Sequence, residues 1–268
     1  MILIKNSIKW TITDLLEIPI KLIIFTLLVN LTSKYEFGII AIGMLIFSYQ
    51  SIFQVGSVDW NNFRLPKLHA QGINLRAAIS ETSTFTTINQ IILLPLIILF
   101  IYHTNENKSW FLLIVLSSFS IQCIFYNFFL HARMSLRFNH YFDENMKVQT
   151  IFLIIKLVVE TITLFFFGVI AYLIVIPFTF LIPVIISKKF IRIDYFNKNF
   201  KKNFKEILKN GLPFFGVMLV SLLIANLDRW FILKKGSIID FANYSFIIYF
   251  LTVLMIIPGK FLSIIIQY

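Results

Sequence analysis

Ionisable side chains stand inside apolar runs at Asp14, Glu17, Lys21, Lys156, Glu160, Asp228, Arg229 and Lys260. In a bilayer, a charge at the centre of a helix costs about 2.5–3.5 kcal/mol, so each needs an opposite charge, a water-filled cavity or an ionic ligand. Spacing sorts them. Asp14 and Glu17 are three apart, Glu17 and Lys21 four apart, so on a helix all three share one face. Lys156 and Glu160 are also four apart and form a ready neutralising pair. Asp228 and Arg229 differ: neighbours in sequence point about 100° apart on a helix and do not face each other. Each must look to another helix, a ligand or a solvated interface. Two roles stand open for Arg229: snorkelling to the headgroups at the helix end, or a cationic point in an aqueous cleft suited to an anionic substrate. Lys260 follows Pro258, which loosens the backbone before it. Arg229, Lys21, Lys156 and Lys260 are thus the candidate substrate contacts. Asp14, Glu17, Glu160 and Asp228 are the candidate acidic partners or coupling-ion sites.

Other chemistry is sparse. His69, His103, His131 and His140 are scattered without zinc-ligand spacing, which predicts no metal site. The nine glycines form no phosphate-binding loop. The single cysteine, Cys123, cannot make an internal disulfide. Asp143 and Glu144 read as solvated loop residues. No catalytic pattern appears, so the chain reads as a non-enzyme with no cofactor.

The elements that position the intramembrane charges follow from composition. Of the 268 residues, 58% are hydrophobic and only 14% charged, and 31 are phenylalanine. Soluble domains sit near roughly 45–50% apolar, so this chain belongs in a membrane. The net charge of +11 is compatible with nucleic acid or membrane. Its placement between long apolar runs favours the membrane and argues against nucleic acid. Runs long enough to span occupy 8–31, 38–56, 83–102, 110–130, 148–167, 168–186, 212–233 and 241–266. They are continuous rather than alternating, which predicts helices and not barrel strands. The fifth and sixth are divided only at Gly168, which predicts a tight hairpin there. Trp10, Trp60, Trp110 and Trp230 fall near span ends, as an interfacial aromatic belt requires.

Lysine and arginine set the orientation. Lys5 and Lys9 precede the first run. Arg64, Lys67 and Arg76 lie in the second loop, and Arg133, Arg137 and Lys147 in the fourth. Lys188, Lys189, Arg192, Lys198, Lys201, Lys202, Lys205 and Lys209 crowd the sixth. The opposite side holds Lys34, Lys108, Lys234 and Lys235. This asymmetry predicts a cytoplasmic N-terminus. No cleavable signal peptide is expected in MILIKNSIKW. In the sixth loop Ile193, Phe196, Phe200, Phe204, Ile207 and Leu208 fall at helical spacing, which predicts an amphipathic helix on the inner leaflet or a linker between lobes.

A repeat is also present. The shift that lays IKNSI (4–8) on LKNGL (208–212) also lays SKYEFG (33–38) on SIIDFA (237–242). Six helices then form one unit, and an even number makes successive units parallel in the membrane.

At these residues the chain resembles the polysaccharide-biosynthesis exporters of the multidrug/oligosaccharidyl-lipid/polysaccharide exporter superfamily. SKYEFGIIAIGMLIFSYQSIFQVGSVDW (33–60) is similar to their second helix and the turn before it. LKNGLPFFGVMLVSLLIANLDRWFILKKGSIIDFANYSF (208–246) is similar to their seventh helix and the following turn. Gly211, Leu212, Pro213, Asp228, Arg229, Ala242 and Tyr244 match the recurring positions. The resemblance implies an all-α integral membrane protein of about eight transmembrane helices. Residues 1–187 form a six-helix lobe, 188–210 a basic amphipathic cytoplasmic linker, and 211–268 the first two helices of an incomplete C-terminal lobe, completed by further chain or by an oligomer. It implies a flippase of the bacterial inner membrane that moves a polyprenyl-diphosphate-linked oligosaccharide for O-antigen, capsule or other surface polysaccharide. The alternatives are a cation-coupled multidrug exporter using Asp14, Glu17 or Glu160, and a non-functional truncated remnant. A membrane O-antigen polymerase or glycosyltransferase fits less well, because the outer loops are short and no aspartate-rich sugar-nucleotide site appears.

Overall fold

The computed structural model describes residues 15–104, 109–139, 141–191, 193–197 and 200–266, the side chains of Lys202 and of 253–266 excepted. Asp14, Trp10, His140, Lys5, Lys9, Lys108, Arg192 and Lys198 lie outside the described residues, as does the side chain of Lys260.

Among the described residues all regular structure is helical. The helices are α1 (Glu17–Leu31), α2 (Lys34–Ser48), α3 (Ser57–Ala70), α4 (Leu75–Thr104), α5 (Trp110–Phe138) and α6 (Phe142–Ile155), then α7 (Gly168–Val175), α8 (Leu181–Ser187), α9 (Phe200–Lys235) and α10 (Ile238–Ile266). Five stretches of the described residues are long and apolar enough to cross a membrane: Lys34–Gln54, Leu75–Thr104, Trp110–Phe138, Phe142–Ser187 and Asn203–Lys235. The chain is therefore an all-α, multi-pass membrane protein.

The stretch Phe142–Ser187 contains the expected hairpin. It folds back at Gly168, whose φ of +78° suits a residue without Cβ, and α8 returns against α6. Its helices are irregular, with π turns at Lys156–Glu160 and Thr163–Phe167 and a 3-10 turn at Ile176–Phe180 that carries Pro177 at its start.

Several expectations change. Residues after 56 read as a loop, yet α3 continues the second span beyond a bend at Val55 and Gly56, both left-handed. The bend fits against α9 so closely that a Cβ on Gly56 would lie 2.1 Å from the Gly211 carbonyl oxygen. The expected linker is not separate either, because α9 runs unbroken from Phe200 through Gly211 and Pro213 to Lys235. Its apolar stripe has a protein partner. Ile207 is fully buried with Trp60 and Phe85, and Phe200, Leu208 and Phe214 pack around them. Asn203 Nδ2 donates to Glu81 Oε2 at 2.9 Å, and Glu206 pairs with Arg64 at 3.7 Å. Trp60 is consequently a core residue under the Arg64 guanidinium, not part of a belt. Trp110, at the start of α5, is 83% exposed.

The starts of α2 and α10 are built alike. Ser33 Oγ accepts from the Glu36 backbone N–H, and the Ser33 N–H donates to Glu36 Oε2 at 2.8 Å. Ser237 Oγ accepts from the Asp240 N–H, and the Ser237 N–H donates to Asp240 Oδ2 at 2.9 Å. These capping boxes satisfy amide donors that a helix start leaves unpaired. The Ser237 bonds also hold the Asp240 carboxyl below its ordinary range. The two helices then cross closely: a Cβ on Gly38 would lie 2.5 Å from the Ile238 carbonyl oxygen and 3.4 Å from Ala242 Cβ. Around this crossing lies the largest apolar core, in which Phe25, Leu28, Phe37, Ile40, Phe119, Leu173 and Phe241 are buried. A second core stacks Phe129, Phe152 and Phe180, with ring centroids 4.7–5.9 Å apart. In α9 only 11% of the membrane-crossing window is buried, so most of that helix faces outward.

Candidate functional site

Three of the four cationic candidates meet in one place. Lys21 from α1, Lys156 from the π turn after α6, and Arg229 from α9 line a cavity of about 280 Å³ within the helices. Its apolar walls come from Ile24, Phe25 and Leu28 of α1, Met44 and Phe47 of α2, and Phe119 of α5. Its polar groups are Ser48, Gln122, Glu160, Tyr172, Tyr249 and Thr252. A neighbouring cavity of about 220 Å³ shares Lys21, Phe47, Gln122 and Lys156, and adds Glu17, Gln50, Arg133 and Gln149. A larger hollow of about 490 Å³ lies at Arg76, Lys188, Lys189 and Asp194, but it is an open surface groove and contains none of the candidate residues.

The two pairs expected from helical spacing form. Lys21 Nζ is 2.9 Å from Glu17 Oε1, and Lys156 Nζ is 3.0 Å from Glu160 Oε1. They differ in setting: the Glu17 and Lys21 side chains are 29% and 32% exposed, whereas that of Glu160 is 1% exposed. The Lys156 ammonium also sits 5.9 Å from the Phe152 ring and 5.7 Å from the Phe180 ring, whose faces favour a cation.

Asp228 and Arg229 part company, as their adjacency requires. Asp228 is exposed; its Oδ1 accepts from the Arg229 backbone N–H at 2.8 Å, and its Oδ2 accepts from the Tyr244 hydroxyl of α10. The Arg229 side chain turns to the cavity, and its Nε is buried with no hydrogen-bond partner among the described residues. Among the described residues no carboxylate forms a salt bridge with it. Next to it, Trp230 Nε1 donates to the Tyr49 hydroxyl at 2.8 Å, a clasp between α9 and the end of α2.

The cavity therefore holds two internally neutralised cations and one guanidinium with a donor to spare. Among the described residues the Gln122, Gln149 and Gln50 side-chain oxygens are also buried without partners, so the two spaces offer both polar and apolar surface to their contents. Such a site suits an anionic, hydroxyl-bearing, partly apolar molecule. Sequence reasoning missed the glutamines, although Gln122 stands isolated in SFSIQCIF, and isolated amides in apolar runs are the signal that finds them. It also placed Arg133 in a loop, whereas Arg133 lies within α5 and lines the second cavity. Among the described residues no group of His, Cys, Asp and Glu has the arrangement of a metal site.

The fold and cavity define the class: a multi-pass helical membrane protein with a cavity among its helices lined by three cationic side chains. Comparison with protein-family models, curated proteins and solved structures finds no match.

Proposed function

We propose that the chain exports a polyprenyl-diphosphate-linked oligosaccharide unit across the bacterial inner membrane, for O-antigen, capsule or other surface polysaccharide. The observation that carries this reading is the convergence of Lys21, Lys156 and Arg229 on one cavity that Ile24, Phe25, Leu28 and Met44 also line. Cations suit the diphosphate, buried amides suit sugar hydroxyls, and the apolar wall suits the prenyl chain. The adjoining spaces of about 280 and 220 Å³ together fall in the size range of small-molecule sites, roughly 300–1,000 Å³.

The proposed mechanism is alternating access between a lobe of residues 1–187 and a second lobe that begins at 211, with the N-terminus in the cytoplasm. Two features support a repeat. The capping boxes at Ser33–Glu36 and Ser237–Asp240 fall at positions that the sequence shift equates, and the equated residues Gly38 and Ala242 meet where α2 crosses α10. The cavity then lies between lobes, where rocking of α9 and α10 against α1 and α2 would open it alternately.

In cells that depend on this protein for surface polysaccharide, Arg229→Ala is expected to abolish the polymer while the protein still reaches the membrane. Normal polymer in that variant removes Arg229 from the mechanism. A second reading, a cation-coupled multidrug exporter, draws on the burial of Glu160 in the cavity wall. Heightened drug sensitivity in Glu160→Gln cells with intact polysaccharide would favour it.

A further inference from the structure

A different part of the molecule holds a row of buried polar groups that the cavity does not use. Asn61 of α3, Ser83 and Gln90 of α4, and Asn127, His131 and Ser135 of α5 are all at most 1% exposed. Each has a side-chain atom without a hydrogen-bond partner among the described residues: Asn61 Oδ1, Ser83 Oγ, Gln90 Oε1, Asn127 Oδ1, His131 Nε2 and Ser135 Oγ.

Hydrogen bonds set how these helices lie against one another. Asn127 Nδ2 donates to Thr87 Oγ1 at 3.0 Å, and Gln90 Nε2 donates to the Cys123 carbonyl oxygen at 3.1 Å. Stepping one helical turn down antiparallel α4 and α5 brings Ser83 level with His131. Asn61 Nδ2 donates to Thr82 Oγ1 at 2.5 Å, which puts Asn61 at the same level. His131 Nδ1 lies 2.9 Å from the Asn127 carbonyl oxygen, so Nδ1 carries the proton and Nε2 presents a lone pair. Asn127 and Gln90 continue the row upward and Ser135 continues it downward, over a length of roughly 16 Å at 1.5 Å per residue. Four of the six atoms are acceptors only and the other two are hydroxyls with one proton each, so acceptors outnumber donors along the row. These residues occupy a stripe of α5 beside the one, Gln122, Tyr126 and Arg133, that lines the cavities.

We propose that a file of bound water occupies this row between α3, α4 and α5, centred where Asn61 Oδ1, Ser83 Oγ and His131 Nε2 share one level. Water supplies two donors per molecule and settles where it finds two to four polar partners. A single cation fits less well, because the unpaired atoms are neutral and spread over several helical turns instead of converging on one point.

The test uses the whole protein in detergent. Ser83→Ala and Ser135→Ala remove hydroxyls that bond to nothing but the proposed water, so each is expected to lower the apparent Tm by about 2–4 °C. An unchanged or raised Tm in both overturns the proposal, because deleting a hydroxyl without a partner carries no such loss. X-ray radiolysis, which makes hydroxyl radicals from bound water in place, is the second measurement. Oxidation of His131, normalised to the denatured chain, should exceed that of Phe152, which is also buried. Protection of His131 as complete as that of Phe152 overturns the file. A rise in Tm with sodium chloride over choline chloride, lost in Ser83→Ala, assigns the site to a cation instead and equally overturns it.

Discussion

Lys156→Met is the most telling single change for the energetics of the cavity. Glu160 is 1% exposed and its ionic partner is Lys156, 3.0 Å away on the next turn. Removing the ammonium leaves a buried carboxylate without its ionic partner, and breaking such a buried pair costs about 3–5 kcal/mol. For a chain of this size a kilocalorie shifts Tm by about 2–4 °C, so the variant should melt roughly 6–20 °C below the parent. Replacing both members, as Lys156→Met with Glu160→Met, removes the charge and its partner together and should restore most of that loss. Lys21→Met is the comparison. Glu17 and Lys21 are about a third exposed to the cavities, so losing that pair should cost no more than about 1 kcal/mol. Thermal melts of the four proteins in one detergent, arranged with Glu160→Met as a double-mutant cycle, measure the coupling. A Lys156→Met protein within about 1 kcal/mol of the parent would refute the reasoning, as would a double variant no more stable than the single.

Two further outcomes follow from the backbone. Gly56→Ala places a Cβ at 2.1 Å from the Gly211 carbonyl oxygen on a residue whose φ is +68°; strain of this kind costs about 1–3 kcal/mol before the clash, and purified yield and Tm should both fall. Gly72→Ala, at a φ of +69° with open space around it, isolates the backbone part of that loss. Ser33→Ala removes one capping box and should cost about 0.5–2 kcal/mol in a melt. The other box is pH-sensitive: Asp240 has a folded pKa below its unfolded one, so its contribution is present above the ordinary carboxylate pKa and is lost as pH falls through the folded value. Asp240→Asn should lower stability at neutral pH, where the carboxylate's contribution is present, and flatten the profile in that acid range, where the parent loses it too.

Much of the local structure was legible in the sequence because it depends on spacing alone. Residues four apart meet on any helix, so Glu17–Lys21 and Lys156–Glu160 form as expected, and adjacency kept Asp228 and Arg229 from pairing side chain to side chain. Apolar run length likewise determined a multi-pass helical protein, and Gly168 marked its tight turn. The sequence had no means to say where Trp60 or the stripe through Ile207 would go, because an apolar face reads the same whether it meets lipid or protein. Only the docking of α9 on α3 and α4 decided that both are core. The same holds for Arg229. Its helix allowed headgroups or cleft, and the choice came from α1, α2 and α10 closing around its side chain while Tyr244 took Asp228 outward. Lys21, Lys156 and Arg229 are far apart in the chain, and their convergence is a property of helix packing, which no spacing rule contains.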